Sequence, residues 1–331
     1  MAKKKKNIPT GVPRREIGEG MVIRNTGSSY TVRLVDGSLV QCRIKGNFRI
    51  KGIRTTNPVA VGDIVSVSEA ADDACYITTI RPRRNYIIRR ASNLSKESHI
   101  LAANLDQTLL IATLRDPATT TTFIDRFLAT ASAYDVPAIL VINKSDTWDD
   151  DDRELGKALK TLYESIGYPV YIVSAATGQG LEALRGRLKD KVTLIAGNSG
   201  VGKSSLINAL VPDAGLRVGR ISDIHHTGMH TTTFSEMIPL PGGGELIDIP
   251  GVKGFGTIDF APAEVSHYFP EIFRFGKQCR YGDCRHTGEP GCAVLPAVRE
   301  HYISQSRYDS YLSILEEASE EAGADKYRKP F

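Results

Sequence analysis

Between Gly20 and Arg81 apolar and polar residues alternate in short runs: GMVIRNTG, SSYTVRLVDG, SLVQCRIKG, VGDIVSVSEA and YITTIRP. A period of two gives a strand one buried and one wet face, and the Asn-Thr-Gly, Asp-Gly and Lys-Gly steps between the runs favour turns. Five such strands, rich in Arg and Lys, predict a small OB-type β-barrel over residues 20–100. Ahead of it, residues 1–19 open with MAKKKK and read as a basic disordered arm.

After Asn104 the texture changes. Short apolar runs (DQTLLIATL, VPAILVINKSD, YPVYIVSA, KVTLIAG) alternate with segments of helical spacing (TFIDRFLATASAY, RELGKALKTLYESIG, GLEALRGRLKD, GKSSLINALV). Strand and helix in alternation predict a parallel sheet covered on both faces, an α/β domain over residues 101–258. Residues 259–331 read as a third unit: a loop-rich, cysteine-bearing stretch, then AVREHYISQSRYDSYLSILEEASEE as a helix with a solvated acidic end.

Charge changes the picture of the first region. The net charge is only +4, yet residues 1–100 hold 19 Lys and Arg against 8 Asp and Glu, which leaves the rest of the chain acidic. A basic third on an acidic body suits a polyanion, with RNA the first candidate, against the plainer reading of a solvated tail. Arg81, Arg83, Arg84, Arg89 and Arg90 lie inside folded-looking sequence and favour the former. The sequence has no apolar run long enough to span a bilayer, and its basic start lacks a signal peptide's apolar core, so no membrane role and a cytoplasmic location are expected.

The chemistry begins at LIAGNSGVGKSSLINAL. Gly197-Asn198-Ser199-Gly200-Val201-Gly202-Lys203-Ser204 fits G-x-x-x-x-G-K-[ST] between a strand and a helix, with Ser205 continuing the candidate set. Its glycines let successive backbone N–H groups face phosphate oxygens at a helix N-terminus. Lys203 is expected on the β- and γ-phosphates and Ser204 on Mg²⁺. Asn143-Lys144-Ser145-Asp146 ends an apolar strand, at the edge where open α/β sheets bind ligands. A carboxylate there accepts from guanine N1–H and the exocyclic amine, a donor pair that adenine lacks. Lys144 is expected along the purine face and Asn143 as a brace. Ser174-Ala175-Ala176 ends the next strand, where a small-residue turn could offer N–H to guanine O6.

Asp248-Ile-Pro-Gly251 ends a further strand: Asp248 is expected to hold Mg²⁺ through water, and the Gly251 N–H to meet the γ-phosphate. Between them lies GMHTTT, from which Thr231 or Thr232 could close over Mg²⁺ when the γ-phosphate is present. These elements are the guanine-nucleotide set of Ras-like P-loop GTPases in rotated order, with the base-reading elements ahead of the phosphate loop. The chain then leads from Asp248 straight into the C-terminal region, which nucleotide state could thereby move. A glutamine that orients water often follows D-x-x-G, and here Val252 stands in that place. His230 is the nearest candidate for the task, ahead of His225 and His226.

Cys279, Cys284, His286 and Cys292 lie within fourteen residues. Three thiolates and an imidazole suit a closed, structural zinc site, although spacing alone leaves iron open. Cys42 and Cys75, isolated in strand-like sequence, read as small buried apolar residues.

Taken together, the barrel, the rotated elements, the G-x-H-T-T-T loop and the C-x4-C-x-H-x5-C knuckle resemble the RsgA (YjeQ) family of circularly permuted bacterial GTPases. The resemblance covers essentially the whole chain. It implies a GTPase that binds the small (30S) ribosomal subunit late in its assembly, is stimulated by it, and grips rRNA through the barrel and the zinc segment. A monomer is expected. Two other readings remain open: an RNA-binding assembly adaptor with a structural guanine nucleotide, and a GTPase of the large subunit.

Overall fold

The computed structural model describes residues 15–27, 29–44, 58–70, 73–90, 98–212, 235–248 and 260–326. The basic arm as far as residue 14, His225, His226, His230, Thr231, Thr232, Gly251 and Val252 lie outside them.

The five alternating runs become β1 (Arg15–Asn25), β2 (Tyr30–Leu34), β3 (Leu39–Ile44), β4 (Ile64–Glu69) and β5 (Cys75–Ile80). They close on themselves in the order β1-β2-β3-β5-β4, with β4 returning to pair β1 from Arg15↔Glu69 to Met21↔Ile64. β1 begins at Arg15 and so takes in residues that the sequence pattern left with the basic arm. The inward residues Val22, Tyr30, Val32, Cys42, Val65, Val67 and Ile77 fill the barrel. Cys42 is fully buried and sits directly opposite Cys75 in the β3–β5 register.

A hairpin that the alternation did not predict follows, β6 (Tyr86–Arg90) and β7 (Ser98–Ala103). Next come β8 (Gln107–Ala112), α1 (Thr121–Ala133), β9 (Ala138–Ile142), α2 (Asp150–Ser165), β10 (Val170–Ile172), α3 (Leu181–Leu188), β11 (Val192–Gly197) and α4 (Lys203–Leu210). β12 (Ser235–Pro239) and β13 (Glu245–Asp248) complete the sheet.

Its order is β10-β9-β8-β11-β13-β12, parallel throughout except for β12. Alternate residues of one strand serve opposite faces. Leu110, Leu140 and Leu194 pack with Phe127 of α1 and Tyr163 of α2, whereas Leu109, Ile139 and Ile195 pack with Leu184 of α3 and Leu206 of α4. Largely apolar strands are the sequence signature of such a two-sided core.

The outer strand β12 pairs antiparallel with barrel strand β1 at Arg24↔Glu236 and Asn25↔Ser235, so barrel and parallel sheet form one hydrogen-bonded ribbon of eleven strands.

The C-terminal region holds α5 (Pro270–Gly276), α6 (Val294–Arg299) and α7 (Gln305–Lys326) around Phe269, Ile272, Val294, Tyr311 and Ile314, with Ala129 of α1 in the same core. The single helix expected from Ala293 onward is two. The chain turns through Glu300–Ser304, with His301 at φ 62°, a left-handed value that ends a helix.

Candidate functional site

The phosphate loop joins β11 to α4. Gly197 has φ 150°, and a Cβ there would stand 2.5 Å from the Ile111 carbonyl oxygen of β8. Gly202 has φ 90°, and its Cβ would stand 2.5 Å from Asn143 Nδ2. Both positions exclude a side chain because other strands press against the loop. Lys203 Nζ donates to the carbonyls of Gly197 at 2.6 Å and Asn198 at 2.7 Å, inside the curve of the loop. Burial pulls its pKa down, and the negative Asp248 at the end of β13 opposes that pull. Ser204 and Ser205 lie in the first turn of α4, where N–H groups have no helical partner.

Asn143 ties this loop to the second candidate element. Its Nδ2 donates to the Val201 carbonyl at 2.9 Å, and its Oδ1 accepts from the Ala175 N–H at 3.1 Å. Asp146 follows a left-handed Lys144 (φ 67°) and accepts from the Ser174 hydroxyl at 2.5 Å. The Thr177 N–H donates to the same hydroxyl at 3.1 Å, which fixes it toward the carboxylate. Thus the N-K-S-D run, the S-A-A turn and the phosphate loop, spread over residues 143–205 of the chain, meet at the carboxyl edge of neighbouring parallel strands. Asp248, register partner of Ile195, stands at the same edge.

The pattern of motifs did not single out the loop after β8. Lys144 Nζ donates to the Asp116 carbonyl there. Arg115 holds the loop against the start of α2 through Asp149 at 2.8 Å and Asp152 at 2.9 Å. The sequence signal was a lone Arg-Asp-Pro after an apolar strand, which carries no chemistry until the partners are known.

The four knuckle residues also converge: their ligand atoms all lie within 4.8 Å of one another. His286 Nδ1 is 3.5 Å from Cys279 Sγ and 3.6 Å from Cys292 Sγ. Zn–S and Zn–N bonds of ordinary length at a tetrahedral angle put sulfur and nitrogen about 3.6 Å apart, so the set fits one tetrahedral ion. Burial holds the imidazole below its usual pKa, in the neutral form a metal requires.

The loop carrying these ligands is itself braced. Burial opposes ionisation of Glu289, but its own N–H and those of Arg285, Thr287 and Gly288 bring its pKa down to about 2. Tyr308 and Tyr311 of α7 each donate at 2.6 Å, to the carbonyls of His286 and Arg285. A closed four-ligand set, with no fifth donor in the cluster among the described residues, is structural in character. Zinc or another tetrahedral ion would draw the loop between α5 and α6 together on itself.

A buried ion cluster anchors this region on the nucleotide-binding fold. Arg307 of α7 reaches Glu271 of α5 and Asp125 of α1, both at 2.7 Å, and Tyr163 of α2 donates to Asp125 at 2.8 Å. Desolvation pushes the Asp125 carboxyl up, with Arg307 opposing it. Asp125 and Arg307 lie 182 positions apart in the chain, beyond any local motif.

Comparison with known proteins is consistent along the chain. The RsgA N-terminal domain model matches residues 19–77 and the RsgA GTPase model residues 80–258. A Porphyromonas gingivalis protein named small ribosomal subunit biogenesis GTPase RsgA is 60% identical over 318 residues, 95% of this chain and 100% of the relative. One of the same name from Bacteroides fragilis is 58% identical over 313 residues, again 95% and 100%. The crystal structure of YjeQ from Thermotoga maritima superposes with a TM-score of 0.74 at 33% identity, covering 91% of this chain and 98% of that one. YloQ, described as a circularly permuted GTPase, superposes at 0.71 and 30%, covering 96% and 97%. The rotated chain path traced above is the one those structures follow. Relatives this similar over this much of their length leave one family, and the chain belongs to it: the RsgA circularly permuted GTPases.

Proposed function

We propose that the protein binds GTP at the carboxyl edge of its parallel sheet and hydrolyses it to GDP and phosphate while bound to the small ribosomal subunit, late in that subunit's assembly. The observation that carries the nucleotide part is the convergence of the phosphate loop with an Asp146 carboxylate oriented by Ser174. The relatives' shared name supports the partner.

Asp146 accepts two hydrogen bonds from guanine, and adenine would leave that carboxylate unpaired. Lys144 lies along the base. The Ala175 N–H is taken up by Asn143, so Ala176 is the N–H of that turn best able to meet O6. The N–H groups of residues 197–205 cradle the phosphates, and Lys203 leaves its two carbonyls to neutralise the β- and γ-oxygens. Ser204, Asp248 and Thr232 are the candidate residues around Mg²⁺, which, when bound, neutralises charge on the phosphates. Gly251 senses the γ-phosphate, and His230 orients the attacking water in place of a glutamine. The barrel of β1–β5, residues 15–80, and the zinc segment from residue 259 onward face rRNA, and the part between them times release.

The test is GTP hydrolysis in Mg²⁺ buffer, alone and with purified small or large subunits. Stimulation by the small subunit alone is expected; stimulation by the large subunit, or by neither with GTP still bound, would sink the proposal. In the same assay His230→Ala should lower stimulated turnover at least tenfold with nucleotide affinity nearly unchanged. Unaltered turnover removes His230 from the mechanism.

A further inference from the structure

The stretch FRFGKQCRY, Phe273 to Tyr281, interleaves aromatic and basic residues with no carboxylate among them. It runs along α5 into the first knuckle cysteine. Phe273 and Tyr281 are 38% and 46% exposed, and Tyr302, which packs on Phe275 with ring centroids 6.0 Å apart, is 66% exposed. Monomeric surfaces seldom leave several rings uncovered in one region without a use for them.

Three of these four rings carry a cation. Lys277 Nζ lies 4.7 Å from the Phe273 centroid, the Arg274 guanidinium 5.1 Å from that of Phe275, and the Arg280 guanidinium 5.4 Å from that of Tyr281. None of the three cations forms an ion pair among the described residues, so their charge is available to an incoming anion. The backbone beneath is fixed. Glu271 is bound by Arg307, Phe269 and Ile272 are fully buried, and the Arg280 N–H donates to the Gly291 carbonyl at 3.0 Å. Rings presented on a rigid base lose little entropy when something stacks on them.

We propose that this surface is a stacking platform for unpaired nucleotides of RNA. Rings flanked by cations match a ligand that offers flat π-faces on a polyanionic backbone, which is single-stranded nucleic acid. A duplex keeps its base faces stacked inward and would use only the charges. An acidic protein segment would pair with the cations and leave the ring faces idle. The inference rests on the proposal that the protein works on a ribosomal subunit, and names how its C-terminal region would grip RNA there.

The experiment uses the full chain and a short single-stranded RNA carrying 2-aminopurine, whose fluorescence falls when the base stacks. Quenching on binding is expected. Phe273→Leu and Tyr281→Leu, which keep apolar bulk but lose the ring, should each weaken binding about tenfold and reduce the quench. A blunt duplex of equal length should be insensitive to both changes. Metal content and basal GTP hydrolysis should be unchanged, which separates the effect from misfolding. Unchanged affinity and quench in both variants would overturn the platform. Loss confined to Lys277→Gln and Arg280→Gln would also overturn it, by showing phosphate contact alone, as would a photo-crosslink from position 281 to a ribosomal protein and not to RNA. Failure of subunits to stimulate the unaltered protein would defeat the functional proposal separately, leaving the oligonucleotide result standing.

Discussion

The nucleotide-binding sheet is joined to its two neighbours by different materials. Toward the barrel the joint is mostly backbone: β12 pairs β1 and the Ala103 N–H donates to the Val61 carbonyl at 2.9 Å, with the Asn104 side-chain amide adding a bond to the Gly62 carbonyl at 2.8 Å. The side-chain pairs there, Arg24–Glu236 and Arg33–Glu245, are supplementary. Toward the C-terminal region the joint is side chains: the Arg307 cluster, an Arg126–Glu317 pair with both bonds at 2.5 Å, and Ala129 entering the C-terminal core. A backbone joint survives most substitutions because every residue brings the same N–H and C=O. A side-chain joint hangs on identities, and a buried one fails sharply when one partner is lost. The first holds the barrel beside β12; the second holds the knuckle on α1, on the opposite face of the sheet from α4.

The comparison breaks most visibly at Arg307. Arg307→Met should leave Asp125 and Glu271 as buried unpaired acids and cost about 3–5 kcal/mol, read as a fall in the urea midpoint for loss of α7 protection in hydrogen exchange. Adding Asp125→Asn and Glu271→Gln should recover much of it. An unaltered midpoint for the single variant would mean the cluster does not hold the joint.

The backbone joint has one weak position. Gly62 has φ 92° and a Cβ there would collide with the Ala103 carbonyl oxygen. Gly62→Ala should cost about 1–3 kcal/mol in thermal unfolding of the barrel through strain, whereas a change at Gly37, open on all sides at φ 86°, should show strain without collision and a smaller loss. Equal losses at the two glycines would show that the approach to Ala103 carries no energy of its own.

The smallest effect belongs to Arg24→Ala. That pair spans 3.8 Å with both side chains about half exposed, so stability should move by no more than about 0.5 kcal/mol. A loss comparable to that at Arg307 would erase the distinction between the joints.

The same distinction governs what could be read from the sequence. The phosphate loop, Asn143 to Asp146 and the Cys279–Cys292 knuckle are local patterns, each within one loop, and they were legible as candidates from the sequence alone. The barrel strands and the apolar strands β8 to β11 were legible as periodicities. The β6–β7 pair was not, because its strands are defined by their pairing with each other, and β12, with its terminal Pro239, is a short strand whose partners are β13 and β1. Arg307 looks like one more helical arginine until Asp125 and Glu271 close around it. Arg115 and the Asp116 carbonyl matter only through Asp149, Asp152 and Lys144. The break at His301 splits a periodic run whose two halves turn out to pack around the same Phe269-centred core.

Joining a barrel to a sheet by strand pairing has a consequence for how the two can move. Antiparallel pairing repeats every two residues, so β1 can sit on β12 only at settings about 7 Å apart, since a shift of one residue turns each side chain to the wrong face. Small sliding displacements of the barrel are therefore unavailable. What remains is twisting about the shared strand pair, or release. A load applied to the barrel reaches β12 as torque, along the strand that follows Thr231 and Thr232 in the chain.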